Sequence, residues 1–317
     1  MKKITLLMTT WNAFDHVKFT INSLFANTNN FSLIIFDNGS NSDVVNFLKK
    51  LETEKDNVRV IYSPENVGVW KSRFEASQLV DTDLMGIIDS DIAFQKNWLE
   101  TLSEYFQDSE VGQVGPTKLF SHLIHPYTNL PMHLAWREVE KSNPNLNDQI
   151  KKYLNDNSFR NFIQDLWNVN GYFNEEISIP PHCISGCCML TRTNLYKSPK
   201  VVDVEYAKSK YGFEDMDYSW KLKELGYKVL ISNKVYVHHF EHSSVDENQL
   251  NINAPDQQYN TLYFYQKWEE TIVDWIISEK EMGKSLQEIQ ESFIINILYK
   301  TIPKNIPTKL LAALKDE

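Results

Sequence analysis

The chain has 317 residues, 42% hydrophobic and 23% charged, a globular composition with room for one large domain or a domain plus an appendage. Its net charge of −10 argues against a nucleic-acid binder, which needs a basic footprint, but not against a nucleotide whose diphosphate is neutralised by a divalent cation. The only cysteines, Cys183, Cys187 and Cys188, form no even disulfide framework and are one short of a four-ligand zinc site, so they read as buried thiols in a reducing, cytoplasmic compartment.

The apolar run Ile4–Met8 stops at Thr9-Thr10-Trp11-Asn12, too soon for a signal peptide, and is predicted to be a first buried strand. His16–Ala26 carries apolar residues at helical spacing, and Ser32–Phe36 is a second strand. Ser42–Leu51 is a helix, Val58–Tyr62 a third strand, Val67–Val80 a helix and Leu84–Ile88 a fourth strand. Asn97–Phe106 is a helix and Val111–Val114 a strand. This alternation, with strands apolar on both faces, predicts an α/β fold with a parallel sheet flanked by helices. Ligands of such sheets sit outside the carboxyl ends of the strands.

Between residues 118 and 182 the pattern breaks into prolines, polar runs and His122, His125, His133 and His182. This is expected to be an inserted lid or acceptor region, with a helix around Gln149–Leu166. Regular pattern returns with a strand at Ile184–Thr191 and a helix at Met216–Leu225 ended by Gly226. Short strands follow at Tyr227–Ile231 and Val235–Val237. Beyond residue 250 the chain reads as helical: Asp256–Glu281, Ser285–Tyr299 with the Ser285/Glu288 capping-box pattern, and Thr308–Leu314. The expected organisation is a domain over residues 1–250 and a C-terminal helical extension over 251–317. No stretch approaches the roughly 20 apolar residues of a membrane span. Ile302–Leu314 mixes lysine with apolar residues, which permits a peripheral membrane contact, although a packed appendage is the simpler reading.

Strand four ends in Asp89-Ser90-Asp91. Two carboxylates past a buried strand are costly unless a cation resolves them, and Mg2+ or Mn2+ takes oxygen ligands together with substrate phosphates. A solvated turn in which one Asp caps the next helix is the bland alternative. Asp37-Asn38-Gly39-Ser40 forms a turn after strand two that places Asp37 at the crevice, where it can accept from a base N–H. Glu65-Asn66-Val67-Gly68 opens the third helix, whose N-terminus and Arg73 favour phosphate. Glu214, Asp215 and Asp217 begin another helix; they suit the helix dipole, or one is a general base for a hydroxyl. His238 and His239 follow a late strand, where alternation lets at most one face a site.

Taken in order, these elements resemble the family 2 glycosyltransferases of GT-A fold. The resemblance rests on Thr10-Trp11-Asn12, Asp37-Asn38-Gly39-Ser40, Asn66-Val67-Gly68 with Arg73, and Asp89-Ser90-Asp91. It continues through Gly186-Cys187-Cys188-Met189-Leu190, Gly212-Phe213-Glu214-Asp215-Met216-Asp217 and His238-His239, covering roughly residues 3 to 245. Tyr259-Asn260 through Lys267-Trp268 also looks like the tail of bacterial members. The resemblance implies a nucleoside-diphosphate sugar donor, UDP first among them, held by Thr10, Asn12, Asp37, Asn66, Gly68, Arg73, Asp89 and Ser90. It implies Mn2+ or Mg2+ on Asp91 with His238 or His239, His238 being favoured. Asp215 looks like the catalytic base, with Glu214 and Asp217 shaping the acceptor site.

The expected reaction is inverting transfer of a single sugar to the hydroxyl of a glycan or another acceptor, in bacterial surface glycan synthesis. Phe74 stands where the family often has Asn. Gln266-Lys267-Trp268 does not match the Q-x-x-R-W motif of processive members. A sugar nucleotidyltransferase would show a Gly-rich, basic loop after strand one, and Thr9 to Asn12 has neither Gly nor Lys. A non-catalytic nucleotide-sugar or glycan-binding module is the non-enzymatic alternative.

Overall fold

The computed structural model describes residues 3–118, 176–177, 179–210, 212–240, 248 and 258–315. The helix expected around Gln149–Leu166, along with His122, His125, His133 and nearly all of the expected insertion, lies outside the described residues.

Among the described residues, eight strands form one mixed sheet in the order β3-β2-β1-β4-β7-β6-β8-β5. They are β1 (Ile4–Thr10), β2 (Phe31–Asp37), β3 (Val58–Tyr62), β4 (Leu84–Asp89), β5 (Ile92–Phe94), β6 (Val111–Lys118), β7 (Cys188–Arg192) and β8 (Lys228–His239). β3, β2, β1 and β4 are mutually parallel, as the sequence rhythm predicts. β7 runs antiparallel to β4 and β6, β8 parallel to β6, and β5 antiparallel to β8.

Alternate residues of each central strand enter opposite cores, the consequence of period-two side-chain direction. Leu7, Ile34, Phe36, Met85 and Ile87 face one core, while Leu6, Met8, Leu33, Ile35 and Ile88 face the other. The second core is closed by helices α1 (Phe14–Asn27), α2 (Ser42–Glu54) and α4 (Trp98–Glu104), through Val17, Ile21, Val44, Leu48, Trp98 and Leu102. The first is closed by α3 (Val69–Ser77) and α6 (Glu214–Glu224), with the short α5 (Thr193–Tyr196) between them in sequence. The C-terminal helices α7 (Tyr259–Lys267), α8 (Glu269–Glu281), α9 (Leu286–Glu291), α10 (Phe293–Thr301) and α11 (Thr308–Ala313) pack onto this same core through Phe264, Tyr265, Ile272, Ile276, Leu298 and Leu310.

Several boundaries differ from the sequence reading for identifiable reasons. The strand expected from Ile184 begins only at Cys188, because Gly186 turns its backbone toward Arg73 and Asp215. The two short strands after Gly226 are one strand, β8, with a register irregularity against β6. The helix expected over Asp256–Glu281 breaks at Trp268 (φ −105°, ψ 18°), and the next breaks at Ser292, where ψ is 146°. The capping box at Ser285 and Glu288 is present. Gly226, at φ +85°, ends α6 with a Schellman pair, its own N–H donating to Lys223 O and that of Tyr227 to Leu222 O.

Candidate active site

Register alone aligns the donor-side residues at one sheet edge. Thr10 pairs with Asp37 on one side of β1, and Thr9 pairs with Asp89 on the other. β7 enters from the same edge, and the Asp89 N–H donates to Cys187 O at 2.7 Å. β8 ends there too, with His239 opposite Ile92 and the Phe240 N–H donating to Asp91 O. The short edge strand β5 is held by α1, whose Thr20 and Ser23 hydroxyls accept the N–H groups of Ile92 and Phe94 at 2.9 Å each.

Asp89, Asp91 and His239 bring one ligand atom apiece to within 4.8 Å of one another. His239 Nε2 lies 3.0 Å from Asp91 Oδ1 and 3.5 Å from Asp89 Oδ2. Burial opposes a proton on this imidazole, but Asp91 and Cys187 together outweigh it and hold the pKa well above the usual histidine value. The cluster therefore calls for positive charge. Two carboxylates and an imidazole suit a divalent cation such as Mn2+ or Mg2+, which would exchange with that proton.

The structure groups His239, and not the favoured His238, with the two aspartates. His238 points to the other face of β8, is 2% exposed, and packs edge-on against Phe240 with ring centroids 4.2 Å apart. Burial, its largest influence, drives its pKa down to about 3. Ser90 is buried in the turn between the two aspartates.

On the nucleotide side, Asp37 is buried and accepts the Ser40 N–H at 3.2 Å. Burial raises its pKa against the opposing Ser40 contacts. The buried Thr10 hydroxyl has no hydrogen-bond partner among the described residues. Asn12, at φ +56°, ties two loops together: its N–H donates to the Ser40 hydroxyl and its Oδ1 accepts the Asn41 N–H.

Asn38, which the sequence singled out only as part of a turn, is interlocked with Asn66. Asn38 Nδ2 donates to Asn66 Oδ1, which also accepts the Gly68 N–H, while Asn38 Oδ1 accepts the Val67 N–H. Gly68 (φ +93°) is required, because a Cβ there would stand 2.9 Å from the Lys210 backbone. The α3 N-terminus, expected to be open to phosphate, already donates its Val69 N–H to Lys210 O.

Arg73 is 4% exposed. Its Nη2 donates to Asp89 Oδ1 at 2.6 Å and to Gly186 O at 2.9 Å, and its Nη1 to Glu214 Oε1 at 3.1 Å. Burial works against its charge, and Asp89 and Glu214 more than restore it. Arg73 thus spans the carboxylates on either side of the site instead of standing free for a phosphate.

Burial first, then the neighbouring Asp215 charge, pushes the Glu214 carboxyl up to about 7, with Arg73 opposing. Asp215 Oδ2 accepts the Gly186 N–H at 2.8 Å and Oδ1 the Met216 N–H at 2.8 Å. Asp217, expected at the acceptor site, lines the same pocket as Glu214 and Asp215 and is tied to the C-terminal helices. It is 2% exposed, its Oδ1 accepts Trp268 Nε1 at 2.7 Å, and Lys267 Nζ lies 2.8 Å from Oδ1 and 2.9 Å from Oδ2. No short sequence signal links residues fifty positions apart. All three cysteines are buried, as composition suggested. Among the described residues no helix is long and apolar enough to cross a membrane.

Among solved structures, the chain is similar to the mannosyltransferase PcManGT from Pyrobaculum calidifontis in complex with GDP-Man and Mn2+. The TM-score is 0.54 at 12% identity, over 98% of this chain and 73% of that one. It is similar to S. aureus TarS 1-349 with a TM-score of 0.53 at 14% identity, over 99% of this chain and 83% of that one. For GalNAc-T7 with UDP, GalNAc and Mn2+ the TM-score is 0.52 at 12% identity, over 95% of this chain and 58% of that one. These likenesses show the GT-A fold. None of the curated proteins matches the sequence. The model of the family described as "Glycosyl transferase family 2" matches residues 5–196, more than half of the chain and the part that carries the β1, β2 and β4 edge residues. On that match the chain belongs to glycosyl transferase family 2, whose enzymes move a sugar from a nucleotide-sugar donor.

Proposed function

We propose that this enzyme transfers one sugar, with inversion, from a nucleoside-diphosphate sugar to the hydroxyl of a glycan or similar acceptor, with Asp215 as general base. The observation that carries the reading is the convergence at one sheet edge of a buried Asp37, the Asp89/Asp91/His239 cluster and the Glu214/Asp215 pair, linked by Arg73 and Gly186. Asp37 accepts from a base N–H; a uracil N3–H suits it, which puts UDP first, and a guanine N–H is the alternative to screen. Solved neighbours in complex with UDP and with GDP-Man, both with Mn2+, support screening both bases.

Asp91, His239 and Asp89 would hold Mn2+ or Mg2+, which when bound neutralises charge on the departing diphosphate. Asp215 takes the acceptor proton as the acceptor oxygen bonds to the anomeric carbon and the bond to the diphosphate breaks. Its orientation is fixed by the Gly186 and Met216 N–H groups. Arg73 keeps Asp89 and Glu214 in place from inside the protein. Addition of single sugars to a bacterial surface glycan is the proposed context.

The test is a panel of UDP- and GDP-sugars with Mn2+ or Mg2+, following nucleoside diphosphate release with and without EDTA and with candidate glycan acceptors. Metal-dependent release, abolished in Asp91→Ala and reduced by about 10²–10⁴-fold in Asp215→Asn, is the expected result. Wild-type turnover in Asp215→Asn removes the base assignment. Metal-dependent binding of the panel without any release would favour a non-catalytic binding module.

A further inference from the structure

Asp217 lies two residues past Asp215 on α6, and helix geometry turns positions two apart away from each other. Its carboxylate is buried between α6 and α7, on the lining of a pocket that Arg73, Asp203, Glu214 and Asp215 share, where a charge is costly unless it is paired. It receives the Trp268 indole N–H at 2.7 Å and the Lys267 ammonium at 2.8 Å. Lys267 is itself fixed by Asp203 at 2.7 Å, and Asp203 by the Tyr263 hydroxyl at 2.9 Å.

The same two helices touch above and below this point. Phe213, the residue that starts α6 at φ +67°, packs on Phe264 and Tyr265 with ring centroids at 5.1 and 5.7 Å. One turn after Asp217, Trp220 packs on Phe264 and Trp268 at 5.0 and 5.4 Å. Apolar contacts such as these hold two helices together but are non-directional and permit one to roll on the other. Two directional hydrogen bonds to one buried carboxylate do not. A roll of about 20° moves a Cα on its roughly 2.3 Å radius by about 0.8 Å, and misplacement of a reacting group by about 1 Å can cost on the order of 10²-fold in rate.

We infer that Asp217, held by Trp268 and Lys267, is a positioning residue that sets the rotation of α6 and so aims Asp215. The C-terminal helices are then part of the catalytic apparatus although they bring no group to the reacting atoms. The inference rests on the proposal that Asp215 is the base.

The variants are Trp268→Phe, which keeps the ring and removes the N–H, Asp217→Leu, which keeps the volume, and Asp217→Asn, which keeps one acceptor. Turnover and KM are measured with Mn2+ and whichever UDP- or GDP-sugar of the panel wild type uses. Amide exchange of Gly186 and the first turn of α6 is read on the same proteins without ligand, since the Gly186 N–H reports whether Asp215 still points at it. Trp268→Phe and Asp217→Leu should lose about 10–100-fold in kcat with donor KM within about twofold, and exchange faster at Gly186 and the α6 first turn but not in β1 and β4. Asp217→Asn should lie between them and wild type.

A lowered melting temperature with wild-type kcat per folded molecule overturns the inference, as does a rise in KM at unchanged kcat. If Asp217→Leu does not fold, Trp268→Phe decides. If no donor turns over, unchanged exchange at Gly186 in Trp268→Phe overturns it. Asp215→Asn run in parallel separates the two ideas: wild-type turnover there removes the base assignment, whereas an inactive Asp215→Asn beside a fully active Trp268→Phe removes only the clamp.

Discussion

Arg73 and Glu214 are 141 positions apart in sequence, yet Nη1 of one lies 3.1 Å from Oε1 of the other. The same guanidinium reaches Asp89 at 2.6 Å. One buried cation therefore joins the metal side of the site to the base helix. Removing one member of a buried ion pair typically costs about 3–5 kcal/mol, because the partner charge is left uncompensated. Arg73→Met should lose stability of that order in urea unfolding. Arg73→Lys should fall between it and wild type, since an ammonium lacks the planar fork that serves two acceptors at once. An Arg73→Met protein as stable as wild type would show that the two carboxylates do not depend on this bridge.

His239 and His238 separate cleanly by position. His239→Ala removes a candidate ligand and should weaken Mn2+ binding by at least the roughly 10–100-fold that loss of an outer-shell partner typically costs. His238→Phe keeps an aromatic ring against Phe240 and should bind Mn2+ as wild type does. Calorimetry or the Mn2+ electron-spin signal reads both without any donor sugar. The reverse pattern would move the metal to the other face of β8.

The site was legible in the sequence to the extent that periodicity placed it. Asp37 and Asp89 follow strands whose apolar runs announce a parallel sheet, so their arrival at one edge follows from the fold. Strand alternation also said that only one of His238 and His239 could face the carboxylates, but not which. That depends on the register of β8 against β5, and β5 is three residues long and held by hydroxyls from α1. Asp217 has the same residue type and nearly the same place as Asp215. Its use is decided by Trp268, where an expected continuous helix breaks so that the indole turns toward the core. Such long-range pairings leave no local pattern.

Glu214 gives the pH prediction. Its folded pKa, about 7, stands above the ordinary 4.5 of an unfolded chain. Between these values the folded state holds more protons than the unfolded one, so stability falls as pH rises. The contribution is complete below about pH 4.5 and lost as pH passes through about 7. Glu214→Gln has no such proton to lose. The difference in unfolding free energy, wild type minus Glu214→Gln, should therefore decline from pH 5 to pH 8. A flat difference across that range would place the Glu214 pKa outside it.

Gly186 sits between Arg73 and Asp215. Its N–H donates to Asp215 and its carbonyl accepts from Arg73. A Cβ would stand 2.6 Å from Arg73 Nη1 and 3.2 Å from the Asp215 Cβ. Arg73 cannot swing aside without leaving Asp89 or Glu214, and Asp215 is fixed to α6, so the added methyl must displace one or both. Overpacking of this kind typically costs about 1–3 kcal/mol, and a base displaced by about 1 Å can lose on the order of 10²-fold in rate. Gly186→Ala should therefore unfold at a modestly lower urea concentration, bind Mn2+ nearly as wild type does, and transfer sugar on the order of 10²-fold more slowly. Wild-type turnover in Gly186→Ala would mean that the Asp215 carboxylate does not need the Gly186 N–H to act.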